Sequence, residues 1–246
     1  MMRWPRQILF GDVDAMFASA AVVKDPRLAG KPVAVGGPPP RGIIAAASYA
    51  VRPFGIHSAM PTAKALQLCP NLILLPPDRP LYRQLHNAMQ AVTDQLFPLT
   101  EWSSIDEFYA DTTQLQTRYP DPRSLGQLVK DVLYEATGLR CTIAVATGKT
   151  VAKIAADSHK PDGLVTVPPG TEEAFLTLRP LRALPGIGPK TAARLEPLGI
   201  KTIGELLDQR CDQPLRHIFG TRLHWVRELA RGIDHEPVVA DRESKS

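Results

Sequence analysis

Two pairs of carboxylates carry the most suggestive chemistry in this sequence. Asp12 and Asp14 close the apolar run Ile8–Leu9–Phe10–Gly11, and Asp106 and Glu107 lie far along the chain inside a second apolar stretch, SIDEFYAD at 104–111. Acids at the end of a strand in a packed sheet are costly to bury unless a counter-charge neutralises them. A divalent cation is the common solution, and an oxygen-only donor set suits Mg²⁺. Adjacent residues of a regular strand point to opposite faces. Asp106 and Glu107 therefore share a site only if the chain bends there, as at the end of a hairpin. For any one of these acids the plain alternative is a solvated loop position.

A second motif is LPGIGPK at 184–190. Gly186 and Gly188 let a hairpin backbone come close to an anion, and Pro189 is placed to open a helix whose first amides face it. Contacts of this kind position DNA without reading its sequence, which makes Gly186, Gly188 and Lys190 candidate DNA contacts. The stretch Thr147–Gly148–Lys149–Thr150 ends like a phosphate-binding loop, but the position of that motif's first glycine is Ile143, so it does not qualify. Thr202 and Glu205 have capping-box spacing. His217, His224 and His235 show no metal spacing and are read as packing or surface residues. Cys69, Cys141 and Cys211 form no pair and are expected to be free thiols.

The elements that must position these groups follow from periodicity. The run ending at Gly11–Asp12 predicts a buried strand, and the small apolar residues 14–23 a helix. Residues 32–50 predict a strand, a stiff turn at Pro38–Pro40, and a second strand or helix start. In 61–69, Pro61 is expected at a first helical position. Leu81, Leu85, Met89, Val92 and Leu96 recur at helical steps in 80–97. Residues 103–111 predict a strand, 124–137 a helix stopped by Gly138, 140–147 a strand and 149–158 a helix. From 171 onward the pattern is helical. The class is α+β: a sheet domain interrupted by an insertion between residues about 17 and 77, then a helical region.

Composition narrows the class further. The 246 residues are 44% hydrophobic and 22% charged, with net charge +4, ordinary for a globular protein. No apolar run approaches a bilayer span and the N-terminus lacks a secretory layout, so a cytoplasmic protein with no membrane partner is expected. Charge is uneven: residues 1–80 carry +5, residues 81–167 carry −2 and residues 168–246 carry +1. An acidic middle between basic ends suits a cation site flanked by phosphate-contacting parts.

The phrases GDVDAMFAS (11–19), RGIIAAASYAVRPFGIHSAMPTAKALQLCP (41–70), SIDEFYAD (104–111), AKIAADSHKPDG (152–163) and LPGIGPKTAARL (184–195) together resemble the Y-family, or translesion, DNA polymerases in order and spacing, near the polymerase IV branch. The resemblance implies a ferredoxin-like palm (1–16 and 78–167), an inserted fingers subdomain (17–77) and an all-helical thumb with a helix–hairpin–helix (168–238). Residues 239–246 would begin a linker to a further β-rich domain, the little finger, which this sequence does not contain. Whether that reflects a fragment or a natural short form stays open.

The resemblance also assigns roles. Asp12, Asp106 and Glu107 match the catalytic, metal-binding acids, and the Val13 carbonyl a further ligand, for two Mg²⁺ ions per site. Asp14 is expected to be structural. Tyr49, Arg52 and Lys160 match contacts to the incoming triphosphate, and Phe17 the steric gate against ribonucleotides, with a plain core aromatic as its alternative. Lys149 and Lys153 are read as either DNA-phosphate contacts or solvated cations. The implied activity is low-fidelity, distributive, template-directed extension of a primer. The implied partners are primer-template DNA, deoxynucleoside triphosphates and, through a C-terminal region, a sliding clamp; a monomer is expected. The rival is a non-catalytic primer-template binder or scaffold. Four places depart from the family pattern: Ala46 for a threonine, Met16 for an aromatic, Phe108 for a small residue in an expectedly crowded place near the metals, and Ala146–Thr147–Gly148 for a serine- and asparagine-containing segment.

Overall fold

The computed structural model describes residues 3–240. Elements follow in chain order: β1 (Ile8–Val13), α1 (Met16–Lys24), β2 (Val33–Gly36), β3 (Ile44–Ala47), α2 (Thr62–Leu68), β4 (Ile73–Leu75), α3 (Arg79–Leu96), β5 (Thr100–Trp102), β6 (Glu107–Asp111), α4 (Pro122–Thr137), β7 (Cys141–Ala146), α5 (Lys149–Asp157) and β8 (Leu164–Thr166). Four short helices complete it, α6 (Glu172–Thr177), α7 (Pro189–Leu195), α8 (Asp212–Phe219) and α9 (Leu223–Ala230), joined through 3₁₀ turns, three of them between α7 and α8.

The sheet that matters runs β5-β6-β1-β7-β8. β1 is antiparallel to both neighbours, β6 and β7. With α3 and α4 as crossovers, β1, β5, β6 and β7 make the ferredoxin-like βαββαβ arrangement, and β8 adds a parallel edge beside β7. The insertion between α1 and α3 holds its own three-stranded sheet, β3-β2-β4. That sheet encloses a separate small core around Ile44, Val51, Ile56, Met60 and Cys69.

The pleat of β1 sorts its residues between two cores. Leu9 and Val13 face α3 and α4, meeting Tyr82, Leu85, Met89, Leu125, Val129 and Leu133. Ile8 and Phe10 face α5, and that core continues without a break into the helical region, through Leu184, Ile187 and Leu195 to Val238. Asp12 shares the parity of Ile8 and Phe10, so it emerges on the α5 side.

Several expectations need correcting. Phe108 does occupy a crowded place, but on the α3/α4 side of the sheet, away from the acids: its ring fills the room left by Gly11 opposite, where a Cβ would lie 2.3 Å from the Phe108 ring. Pro61 is the residue before α2 rather than its first residue. The 103–111 strand is a hairpin, β5 and β6, joined through residues 103–106. Residues 44–47 settle as strand. Only half of the capping box forms: Glu205 accepts from the backbone N–H of Lys201 and Thr202, while Gly204–Leu207 is a 3₁₀ turn without a side-chain cap. The three-residue strands β4, β5 and β8 escape a periodicity reading because each is too short to show alternation. Of the linker call at 239–246, residues 241–246 lie outside the described residues.

Candidate active site

β1 and β6 place Asp12 directly opposite Glu107. Both belong to the α5-facing parity of their strands, so the pleat alone brings this pair together. Asp106 joins them because the strand stops: the Val13 N–H donates to the Asp106 carbonyl at 3.0 Å, and the chain turns sharply through residues 103–106. Ser104 fastens that turn. Its hydroxyl donates to Asp106 Oδ1 at 2.6 Å and accepts from the Glu107 N–H at 3.1 Å. His86, on α3, donates from Nδ1 to the Ile105 carbonyl at 3.0 Å and meets Trp102 edge-on. Ser104 and His86 are positioning residues that reading the sequence missed; Ser104 opens the SIDEFYAD phrase but was given no role, and His86 belongs to no motif.

Beyond Asp12 the chain leaves the strand by an abrupt bend. Ala15 takes a left-handed conformation, φ 48°, which costs a residue with a Cβ about 1 kcal/mol. The bend starts α1 at once and delivers Phe17 to the same cavity as the acids. That cavity has a volume of about 590 Å³ and is edged by Asp12, Val13, Phe17, Ala46, Arg52, Asp106, Glu107 and Lys160. Phe17 is half-buried, its ring stacked on Tyr82 at 4.2 Å, which fixes it as one wall.

Each acid is held by its own partner. Lys160 pairs with Asp12 and sits 3.5 Å from Asp157. Lys153 pairs with Glu107 at 2.7 Å and lies over the Phe10 ring. Lys153 is thus a part-exposed cation whose nearest partner is Glu107. Lys149 departs further from both of its readings: it is buried and paired with Glu101 at 2.6 Å, and Glu101 also accepts from the Val239 N–H. A cation sealed beside a carboxylate in this way is a fixed part of the fold. The glycine at 148 has a local reason too, since a Cβ there would meet Asp234 at 3.0 Å, and Asp234 Oδ2 accepts from the Thr150 N–H in the first turn of α5.

Asp14 works differently from Asp12. It is 4% exposed and accepts from three neutral donors: Thr142 Oγ1 at 3.0 Å, Tyr49 Oη at 3.2 Å and the Asp162 N–H at 2.7 Å. It therefore ties the insertion, β7 and the loop carrying Lys160 to one point. Tyr49 gives its hydroxyl to Asp14 and does not edge the cavity; its ring supports Arg52, whose guanidinium lies 3.8 Å from the ring centroid. Burial, reinforced by Asp14, holds the Tyr49 hydroxyl protonated far above the usual phenol range.

Burial raises Asp12 to about 7, against the pull of Lys160 and with help from the charges of Glu107 and Asp106. Burial alone would lower Lys160, but the Asp12 carboxylate, by charge and hydrogen bond, leaves it raised. Among the described residues no three acid, histidine or cysteine side chains stand close enough to enclose a metal ion, and lysines pair with two of the carboxylates. The donor set still suits a hard cation: three carboxylates and Val13 edge one cavity, and Asp12 is desolvated next to like charges.

Gly186, Gly188 and Lys190 lie apart from this cavity. Gly186 takes φ +84°, as its turn requires, and Pro189 opens α7. Gly186 and Gly188 edge a second cleft of about 800 Å³, whose lining also includes Ser103, Glu107 and Trp225. Lys190 is exposed at the start of α7.

Residues 11–157 match the impB/mucB/samB family, and residues 169–200 match the IMS family HHH motif. A DNA polymerase IV of Halorhodospira halophila is 42% identical over 247 residues, covering 100% of this chain and 68% of the relative. One of Streptomyces coelicolor is 40% identical, covering 100% of this chain and 52% of the relative. The chain thus spans between about half and two thirds of the length of these relatives. The crystal structure of DinB from Sulfolobus solfataricus superposes with TM-score 0.86 at 31% identity, over 94% of this chain and 69% of that one. The insertion ternary complex of Dbh DNA polymerase gives 0.85 at 32%, over 94% and 69%.

Proposed function

The chain belongs to the impB/mucB/samB family, the Y-family DNA polymerases, and from that premise we propose that it adds deoxynucleotides to a primer 3′ end as a template directs, with low fidelity. The observation that carries the reading is the convergence of Asp12, Asp106 and Glu107 on the edge of one cavity with Lys160, Arg52 and Phe17. These are the groups needed to hold a cation, a triphosphate and a sugar side by side.

Two Mg²⁺ ions, held by Asp12, the Val13 carbonyl, Asp106 and Glu107, would supply charge neutralisation for the phosphates and a lowered pKa at the primer hydroxyl. The chain's own residues do the rest. Lys160 is poised to exchange Asp12 for a phosphate oxygen. Arg52, propped on Tyr49, offers a planar fork of donors to the same anion. Phe17, braced by Tyr82, fills the space a 2′-hydroxyl would need. Asp14 holds Tyr49 and the Lys160 loop in register, so both cationic groups approach the triphosphate together.

Primer-template DNA passes the Gly186–Gly188 hairpin, which offers main-chain amides. Few phosphate contacts are available there, so extension proceeds by few additions per encounter. The test is extension of a labelled primer with Mg²⁺ on an undamaged template and on one with a single abasic site. The reading predicts products on both. Tight binding with no addition on either would favour a non-catalytic scaffold.

A further inference from the structure

The helical region presents one large aromatic that neither core nor motif explains. α9 buries Leu223, Val226, Leu229 and Ala230, while Trp225, on its other side, is 44% exposed. Of the chain's three tryptophans, Trp4 is buried and Trp102 half-buried, so Trp225 alone faces out. It does so at a particular place. A Cβ on Gly186 would lie 3.6 and 3.7 Å from its six-membered ring, so the indole is laid along the hairpin that would grip a phosphate. It lines the same cleft as Ser103 and Glu107.

The charge of that cleft decides what Trp225 can do. Its lining carries six carboxylates, among them Glu101, Asp157, Glu228 and Asp234, against three cations, of which Arg182 stands at the start of the hairpin. Lys149 and Lys153, also there, are committed to Glu101 and Glu107. Away from the hairpin amides and Arg182 this surface disfavours phosphates, so DNA in contact with it there must present its neutral parts, the deoxyribose and base edges. An indole is the side chain best suited to receive them. Glu107 edges both this cleft and the carboxylate cavity, so a strand lying in the cleft has its end at the acids, which identifies it as the primer.

We propose that Trp225 is a primer-positioning residue: its indole packs on the sugar and base edge of the primer nucleotide whose phosphate meets the Gly186–Gly188 hairpin, a foothold that does not depend on charge. The proposal rests on the functional reading above and adds a contact to it. The rival role is a brace that merely stiffens the hairpin. Salt separates the two. Each lost phosphate contact lowers the slope of log affinity against log salt by about 0.9, whereas losing an apolar contact leaves the slope unchanged.

The experiment uses the full chain and a fluorescently labelled primer-template duplex, titrated by anisotropy across salt concentrations. Trp225→Ala is expected to weaken binding about tenfold with the wild-type salt slope, and Trp225→Phe to recover part of the loss. The wild-type minus Trp225→Phe emission spectrum should be quenched on binding. Single abasic substitutions scanned along the primer should find one position that weakens the wild-type chain but not Trp225→Ala; the same scan of the template should find none. A slope that falls with Trp225→Ala, an unquenched difference spectrum, or a sensitive position on the template would overturn the proposal. Trp225→Leu, which keeps apolar bulk, serves if the alanine variant does not fold, with the same slope criterion. No binding by the wild-type chain would instead remove the functional reading on which the proposal stands.

Discussion

The two concave surfaces that meet at Glu107 are built on opposite principles. In the carboxylate cavity charges are concentrated: Asp12 is desolvated beside two like charges, and Lys160 and Lys153 are the counter-ions of Asp12 and Glu107. Under the hairpin, the surface proposed to receive the primer is glycine main chain and an indole on a predominantly acidic background. The difference separates two tasks. A site that must stabilise developing charge keeps its electrostatics incomplete until substrate arrives. A surface that lets DNA slide between additions avoids strong charge pairs.

The largest expected effect breaks that division cleanly. Asp106→Ala should lower single-nucleotide extension by at least about a hundredfold, the upper end for losing a mere supporting partner of a metal ligand, while primer-template affinity at fixed salt changes little. A parallel loss of affinity would mean the acids also serve the grip. Next, Phe17→Ala should reduce discrimination between dCTP and rCTP opposite template G by about tenfold to a hundredfold. An unchanged ratio of kcat/KM values would return Phe17 to the core, alongside Tyr82.

A smaller effect concerns stability. Burial raises folded Asp12 from 3.8 to about 7. Between those values the folded chain keeps a proton that the unfolded chain has released, so this group makes stability fall as pH rises through that window. Asp12→Asn should therefore raise the Tm of the metal-free protein, by more at pH 7.5 than at pH 5. A gain independent of pH would show that desolvation is not the cause. The smallest effect lies on the other surface: Lys190→Ala should lower the salt slope of DNA binding by about one unit and leave the extension rate at saturating DNA unchanged. A reduced rate would tie Lys190 to the chemistry.

How much of this was legible in the sequence depended on whether a residue's partner lay nearby. The bend at Asp106 was legible because two adjacent acids cannot share one strand face. The β1 terminus and the α3 stripe were legible from periodicity alone. Lys149 was not, since nothing local reveals that Glu101 seals it from solvent. The crowding at Phe108 was legible, but not its side of the sheet, because the space it fills is made by the missing Cβ of Gly11 on another strand. Trp225 reads, from helical spacing, only as a position outside the core; the hairpin glycine it lies against is distant in sequence. Ser104 and His86 act by fastening a turn whose existence was inferred but whose fastenings were not.

The central claim is that the acids at the edge of this cavity carry template-directed nucleotide addition. It is tested most directly by offering the wild-type chain a primer-template and one nucleotide at a time, opposite each of the four template bases, first with chelator and then with Mg²⁺. The account predicts no addition with chelator. With Mg²⁺ it predicts addition in which the complementary nucleotide is preferred at every template base. Binding of the primer-template without any Mg²⁺-dependent addition, or addition indifferent to the template base, would contradict it.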